Sequence, residues 1–309
     1  MILDTIKNFP DFELLDSGRG YRLERWGTYR LARPDPQAIW KRHLPEEEWT
    51  KADAIFDGKW HIRTDIEQPW TIRFPLPLER GETKTGDWDI KLNARLTAFK
   101  HTGIFAEQAA NWEWLTGQIS NFQFLISKER PKVLNLFGYT GAASILLAKL
   151  GCFVTHVDAS KPAIGWAREN QALNELPEDS IRWILDDAVK FVKRELKRGA
   201  QYDGILMDPP AFGHSPTGKT WKFGEDLPSL LEDIAQLLSP YAQFLVINAY
   251  ATNSSALALQ NMVEDAIVSP VLPSNLKLKK GGSVEAGELC LKQTDGRLVS
   301  TGIVARWNK

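Results

Sequence analysis

Apolar and polar positions follow two different rhythms along this chain. Between residues 1 and 90 the apolar residues come in short alternating runs: F-E-L-L-D at 12–16, Y-R-L-E-R-W at 21–26, T-Y-R-L-A-R at 28–33, K-W-H-I-R at 59–63 and W-T-I-R-F at 70–74. Turn-rich pieces separate them, among them D-S-G-R-G, R-P-D-P, F-D-G and, at 79–87, E-R-G-E-T-K-T-G-D. Short alternating runs between Gly, Pro and Asp clusters predict antiparallel strands and hairpins. One short helix is expected over Q-A-I-W-K-R-H-L, residues 37–44.

Beyond about residue 97 the rhythm changes. Residues 105–126 carry apolar positions at helical intervals. Strands and helices then alternate, with strands expected at 132–136, 153–157, 181–185, 203–207 and 243–248, and helices at 141–150, 161–174, 186–198, 226–238 and 254–266. Such alternation predicts a parallel sheet covered on both faces. At the end, E-L-C-L-K-Q (288–293) and S-T-G-I-V-A-R-W (300–307) flank a T-D-G turn, which predicts an antiparallel hairpin. The expected fold is α/β and Rossmann-like: a mostly parallel, seven-stranded sheet with a terminal antiparallel hairpin, plus a small β-rich N-terminal domain. The domain boundary is expected between residues 97 and 98, giving 1–97 and 98–309.

Composition narrows the class. The chain has 309 residues, 43% hydrophobic and 25% charged, as in ordinary globular proteins. No run approaches the roughly 18 apolar residues of a membrane helix. The N-terminal stretch M-I-L-D-T-I-K-N-F-P-D-F has early acids and no small-residue cleavage site, so no signal peptide is expected. Two cysteines, Cys152 and Cys290, make neither a disulfide framework nor a zinc cluster. No metal is expected, and the cytoplasm is the default compartment. A net charge of −1 means that any nucleic-acid partner must be held by a local basic patch. Eight of the twelve tryptophans precede residue 115. They either fill a thin β core or form a base-stacking surface.

The candidate chemistry lies at the strand ends. V-L-N-L-F-G-Y-T-G at 133–141 is a strand, a glycine turn and the start of a helix. Gly138 and Gly141 are expected to let the backbone turn tightly and approach a ligand. The spacing is G-x-x-G and not the G-x-G-x-x-G of a pyrophosphate-binding turn. Asp158, in H-V-D-A-S, ends the second strand, where a carboxylate accepts both hydroxyls of a ribose; its structural alternative is a helix N-cap. After the third strand, L-D-D-A offers Asp186 or Asp187 to an adenine amino group, unless they only serve the helix dipole. The fourth strand runs into M-D-P-P-A-F. Pro209 and Pro210 make a stiff corner, whose carbonyls are expected to find no donor within the chain and to form, with Asp208, an acceptor site for an amine. Phe212 offers an aromatic face close by.

In that order, L-F-G-Y-T-G, V-D-A-S, L-D-D-A and M-D-P-P-A-F resemble the class I S-adenosylmethionine-dependent methyltransferases, and more narrowly the bacterial 23S ribosomal RNA methyltransferases with N-L-F-x-Y-T-G and D-P-P-x-F. The resemblance covers about residues 98–309. It implies the class I methyltransferase fold and S-adenosylmethionine as cofactor. The methionine part would be held by Asn135, Phe137, Gly138, Tyr139, Thr140 and Gly141. The ribose would be held by Asp158 with Ala159 and Ser160, and the adenine by Asp186 or Asp187. H-T-G-I-F-A-E-Q carries Phe105, Glu107 and Gln108 to the methionine end. Asp208 and the Pro209 carbonyl would orient the target nitrogen, beside Pro210, and Phe212 would stack the base. The implied partner is RNA, most naturally ribosomal RNA.

A carbon-5 target would need a cysteine nucleophile after D-P-P or after the fifth strand. None stands there, so a nitrogen target is expected. The loop 213–226, with Lys219, Trp221 and Lys222, is either a lid or an ordinary loop. Lys190, Lys193, Arg194 and Lys197 form either a solvated helix face or a phosphate-tracking patch. A basic stripe joining them to Lys219 and Lys277–Lys280 would favour RNA. The other readings are a methyltransferase for a small molecule or a protein side chain, a nucleotide-dependent oxidoreductase, and a non-catalytic binding module.

Overall fold

The computed structural model describes residues 2–5, 9–76, 89–125, 130–214, 220–268 and 281–309. The turn expected at 79–87 lies outside them. The chain divides into two compact units, one of Asp4–Glu113 with Leu289–Thr301, the other of Met1–Leu3, Trp114–Glu288 and Gly302–Lys309.

The first strand, β1 (Ile2–Thr5), belongs to the main sheet. Strands β2 (Phe12–Gly18), β3 (Tyr21–Trp26), β4 (Tyr29–Pro34), β5 (Ala54–Phe56) and β6 (Trp60–Ile62) form a five-stranded sheet in that order. The short helix α1 (Glu46–Thr50) precedes β5, and β7 (Trp70–Phe74) pairs antiparallel with β8 (Ile90–Ala94). The alternation in W-T-I-R-F buries Trp70, Ile72 and Phe74 and exposes Thr71 and Arg73. Trp26, Trp49, Trp70 and Trp112 are buried. Trp26 meets Phe12 edge-on at 4.7 Å and Trp112 meets Phe74 at 5.1 Å. These four tryptophans fill a thin β core.

The helix expected at 37–44 is absent; the only helix there is α1, further on. Tertiary hydrogen bonds take the backbone donors and acceptors instead. Buried Asp16 accepts from the His43 and Leu44 amides and from the Trp49 indole. The amides of Arg19 and Gly20 donate to the carbonyls of Trp40 and Ala38. A segment so tied cannot also close helical i→i−4 bonds.

A single 3-10 turn, Ala106–Gln108, leads into α2 (Ala109–Leu125). The main unit then runs β9 (Lys132–Leu136), α3 (Ala142–Lys149), β10 (Phe153–Asp158), α4 (Lys161–Leu173), β11 (Ile181–Leu185), α5 (Ala188–Lys197) and β12 (Gly204–Met207). It continues through β13 (Phe212–His214), β14 (Thr220–Lys222), α6 (Phe223–Leu237), β15 (Phe244–Ala249), α7 (Ala256–Val263), β16 (Ser283–Lys292) and β17 (Leu298–Asn308). The sheet order is β1-β16-β17-β15-β12-β9-β10-β11. Strands β9 to β12 and β15 are parallel, and β17 returns antiparallel to β15. This is the expected sheet with one strand more. The extra strand, β1, lies against β16 where Gly287 has no side chain; a Cβ there would fall 1.8 Å from the Ile2 carbonyl oxygen. The sequence pattern also missed the ribbon of β13 and β14, which are three residues each.

Central strands buried on both faces read as continuous apolar runs, and Leu134, Leu136, Ile205, Met207, Leu245 and Ile247 are all shut off from solvent. Chain order reverses between β9 and β12, so the crevice for a ligand lies at the C-terminal ends of these two strands. Gly204 opens β12 because the Phe244 ring of β15 lies over it; a Cβ would come 2.1 Å from that ring. Gly204→Ala is therefore expected to lower stability by about 1–3 kcal/mol. A urea unfolding midpoint should fall in the variant and partly recover in Gly204→Ala/Phe244→Leu; an unchanged midpoint would refute the packing argument.

Candidate active site

After β9 the chain makes a strained turn. Phe137 has φ +56° and Tyr139 φ +51°, with Gly141 at +82°. A left-handed conformation costs a non-glycine residue about 1–2 kcal/mol, so the surroundings must hold it. The Gly138 amide donates to the Val157 carbonyl at 3.1 Å and the Gly141 amide to the Gly138 carbonyl at 3.0 Å. The Tyr139 amide donates to Asp158 Oδ2 at 2.8 Å, and Asn170 Nδ2 donates to the Thr140 carbonyl at 2.9 Å. The two glycines are required by packing behind the turn. A Cβ at 138 would lie 2.4 Å from the His156 ring, and one at 141 would lie 2.9 Å from Ala167 of α4.

A buried polar layer supports the turn from beneath. Asn135 Nδ2 donates to Ser144 Oγ at 2.9 Å, and Ser144 Oγ shares a hydrogen bond with His156 Nδ1 at 2.9 Å. Burial pushes the His156 imidazole down to about 3, so it stays neutral. Its ring meets Trp183 edge-on at 4.7 Å.

In front of the turn lies a cleft of about 600 Å³. Asp158 ends β10 within it. Its Oδ2 accepts from the Tyr139 amide and its Oδ1 from the Ser160 amide, each at 2.8 Å. Burial pushes this carboxyl above its ordinary range, and the two amides pull it partly back. Ser160 caps α4 through the Ala163 amide, so Asp158 is not the cap. Asp187 does cap α5, accepting from the Lys190 amide at 2.9 Å. Asp186 accepts from the Asp187 amide at 2.8 Å and pairs with Arg194. Asp208 follows β12 directly, its amide donating to the Leu136 carbonyl at 3.3 Å. The D-P-P corner differs from expectation in one respect. The Pro210 carbonyl does find a donor, the Trp221 indole N–H at 2.7 Å.

Eight residues singled out by sequence line this one cleft: Phe137, Asp158, Ala159, Ser160, Asp186, Asp187, Asp208 and Pro210. Asn135, Gly138, Tyr139, Thr140, Gly141 and Pro209 belong to the turn and corner and are not in its lining, and Phe212 is 57% exposed outside it. Phe105, Glu107 and Gln108 fall in the other unit, where Glu107 is buried and its carboxyl pushed up by that burial. Sequence reasoning did not select Val157, Ala188, Val189, Gly213, Thr220 or Asp226. Lys190, Lys193 and Trp221 also line the cleft. Both lysines belong to the run that the sequence offers as either a solvated helix face or a phosphate-tracking patch, and their i, i+3 spacing puts them on one face of α5. Lys219 and Lys277–Lys280 lie outside the described residues.

Strand order, reversal point and acids at successive strand tips define an S-adenosylmethionine-dependent methyltransferase. The cleft fits that cofactor: Asp158 faces it with lone pairs beyond the two amides it accepts, and Asp187 retains a second oxygen. A solved S-adenosylmethionine-dependent methyltransferase from Agrobacterium tumefaciens is 37% identical, aligning over 100% of this chain and 93% of that one with a TM-score of 0.84. The chain belongs to this methyltransferase family. It is also related to the ribosomal RNA large subunit methyltransferase K/L of Shewanella sp. strain MR-4, 30% identical over 251 residues, and to that of Shewanella baltica strain OS155, 31% identical over 218 residues. These matches cover 78% and 69% of the chain, but only 34% and 29% of the relatives. The chain thus spans about a third of the length of the curated relatives it matches. A methyltransferase solved with S-adenosylhomocysteine shares the fold, with a TM-score of 0.65 at 17% identity over 96% of this chain. No family model matches. The oxidoreductase reading of the glycine turn is thereby set aside. Among the described residues no helix is long and apolar enough to cross a membrane.

Two outcomes are expected. Asp158→Asn should weaken S-adenosylmethionine binding about tenfold or more by calorimetry. Wild-type affinity should fall with pH as the raised Asp158 carboxyl protonates, and the variant should lose that dependence. The second concerns His156. The unfolded chain binds a proton on this residue below about pH 6.5, while the folded form does not until far lower. Stability should therefore fall by roughly 1 kcal/mol per pH unit below that point, and His156→Gln should flatten the slope in urea titrations at pH 5 and 7.

Proposed function

We propose that the chain transfers the methyl group of S-adenosylmethionine to a base nitrogen in RNA, with ribosomal RNA as the first substrate to test. The observation that carries this is the D-P-P corner at the tip of β12, which brings Asp208 and Pro210 into the cleft beside the cofactor turn. The names of the Shewanella relatives support the substrate class. In this reading residues 98–309 carry the transferase and residues 1–97 serve substrate recognition.

The cofactor supplies an electrophilic methyl on a sulfonium, so the protein's task is alignment. The 135–141 turn, with Asp158 and Asp187, fixes the donor. Asp208, in the cleft lining, and the Pro209 carbonyl in the corner just behind it would accept hydrogen bonds from the target N–H groups and orient the nitrogen toward the methyl group. Asp208 would stabilise the positive charge that the target nitrogen gains on taking up the methyl group, until the surplus proton passes to solvent. Carbon methylation through a thiolate is disfavoured: Cys152 and Cys290, the only cysteines, are both buried. Burial pushes the Cys152 thiol up to about 12.

RNA from cells lacking this protein should accept isotope-labelled methyl groups, and mass spectrometry of its nucleosides should find them on a base nitrogen. Asp208→Ala should lower kcat by roughly 10²-fold or more while leaving cofactor affinity nearly unchanged. Label appearing only in a protein or a small molecule would overturn the RNA substrate.

A further inference from the structure

Trp221 stands in the cleft without a part in the chemistry described so far. In the β13–β14 ribbon Phe212 lies opposite Lys222, and Gly213 opposite Trp221. Successive side chains alternate between the faces of a ribbon, so Phe212 and Trp221 emerge on opposite sides. Trp221 and Gly213 line the cleft, while Phe212 does not. Gly213 has no side chain to crowd the indole. The ring is fixed at two points. Its N–H donates to the Pro210 carbonyl at 2.7 Å, and its centroid lies 5.9 Å from that of Phe137 at an interplanar angle of 49°.

The sheet order says which end of the cleft this ring serves. Strands β12, β9, β10 and β11 are successive neighbours, about 4.8 Å apart. The β12 tip with its proline corner is thus about 14 Å from the β11 tip that precedes Asp187, and about 10 Å from the β10 tip with Asp158. A ring hydrogen-bonded to Pro210 belongs to the transfer end, not to the adenine end.

We propose that Trp221 is the platform on which a planar aromatic acceptor stacks, in the place that the D-P-P-A-F stretch alone assigns to Phe212. This rests on the reading that the methyl goes to a base nitrogen. Any nucleobase has a face that an indole can stack. The platform therefore selects flat acceptors as a class, while Asp208 and the Pro209 carbonyl select the nitrogen. The bond to Pro210 ties the platform to the corner that aims the target.

The test compares full-length wild type with Trp221→Leu, Trp221→Phe and Phe212→Leu, using an unmodified large-subunit ribosomal RNA transcript as acceptor. Trp221→Leu should raise the acceptor KM about tenfold or more, with cofactor affinity by calorimetry within about twofold of wild type. Trp221→Phe keeps a flat face and should stay near wild type, as should Phe212→Leu. The proposal is overturned if Phe212→Leu carries the acceptor defect, if Trp221→Leu weakens the cofactor to the same extent, or if Trp221→Phe is as impaired as Trp221→Leu. A second measurement needs no turnover. Enzyme saturated with S-adenosylhomocysteine should show saturation-transfer NMR contacts to free adenosine, guanosine, cytidine or uridine, lost in Trp221→Leu. Nucleoside contacts without RNA methylation would support the platform and count against the RNA substrate; wild type without contacts to any of the four would overturn the platform.

Discussion

The carboxylate of Asp158 is the point from which the rest of the cleft hangs. It accepts the Tyr139 amide from the turn after β9 and the Ser160 amide at the start of α4. One side chain thereby joins the tip of β10 to the segments on both sides of it. Hydrogen bonds to a charged group contribute about 1.5–3 kcal/mol each, enough to offset the left-handed backbone of Phe137 and Tyr139. Without that clasp the turn would have no reason to keep two bulky residues at positive φ. Backbone strain of this kind clusters where geometry is held for a ligand.

The layer beneath the turn explains why the glycines stand where they do. Gly138 is not left-handed; it is small because the His156 ring occupies the space of its Cβ. His156 in turn is oriented by Ser144, which also accepts from Asn135. A polar group in a β9–α3–β10 sandwich is costly unless bonded. This chain of bonds fixes the strand tips, the first helix and the turn against one another. Asn135 thus braces the first residues of α3 through the Ser144 hydroxyl.

Much of this was legible from pattern, and the failures have identifiable causes. The parallel sheet could be read because buried strands are apolar throughout and their helices amphipathic. The acids at the strand tips could be read because Asp158, the pair Asp186–Asp187 and Asp208 each follow a largely apolar run. The 37–44 segment misled because its helical spacing is local, whereas the carboxylate of Asp16 that captures it is more than twenty residues away in sequence. β1 carries no signal of its own and exists because Gly287 leaves room. The part played by Trp221 stayed open, between lid and ordinary loop, for a related reason. Three-residue strands have too short a pattern to fix a register, and register alone decides whether Phe212 or Trp221 faces the cleft.

The charge pattern of the cleft sorts what can enter it. Asp158, Asp186, Asp187, Asp208 and Asp226 line it, against Lys190 and Lys193. Arg194 neutralises Asp186, but the balance at the strand tips remains negative. A sulfonium is favoured there by simple attraction, and a phosphate is repelled. An uncharged, planar ring meets neither penalty. For a polyanionic acceptor this has a geometric consequence. On the RNA reading proposed above, its backbone must stay at the mouth of the cleft, toward the cations of Lys190 and Lys193 in the α5 wall, and only a base turned out of its stack can reach Asp208. On that proposed reading, a near-neutral protein acts on a nucleic acid without a basic floor to its site, because the part of the substrate that enters carries no charge.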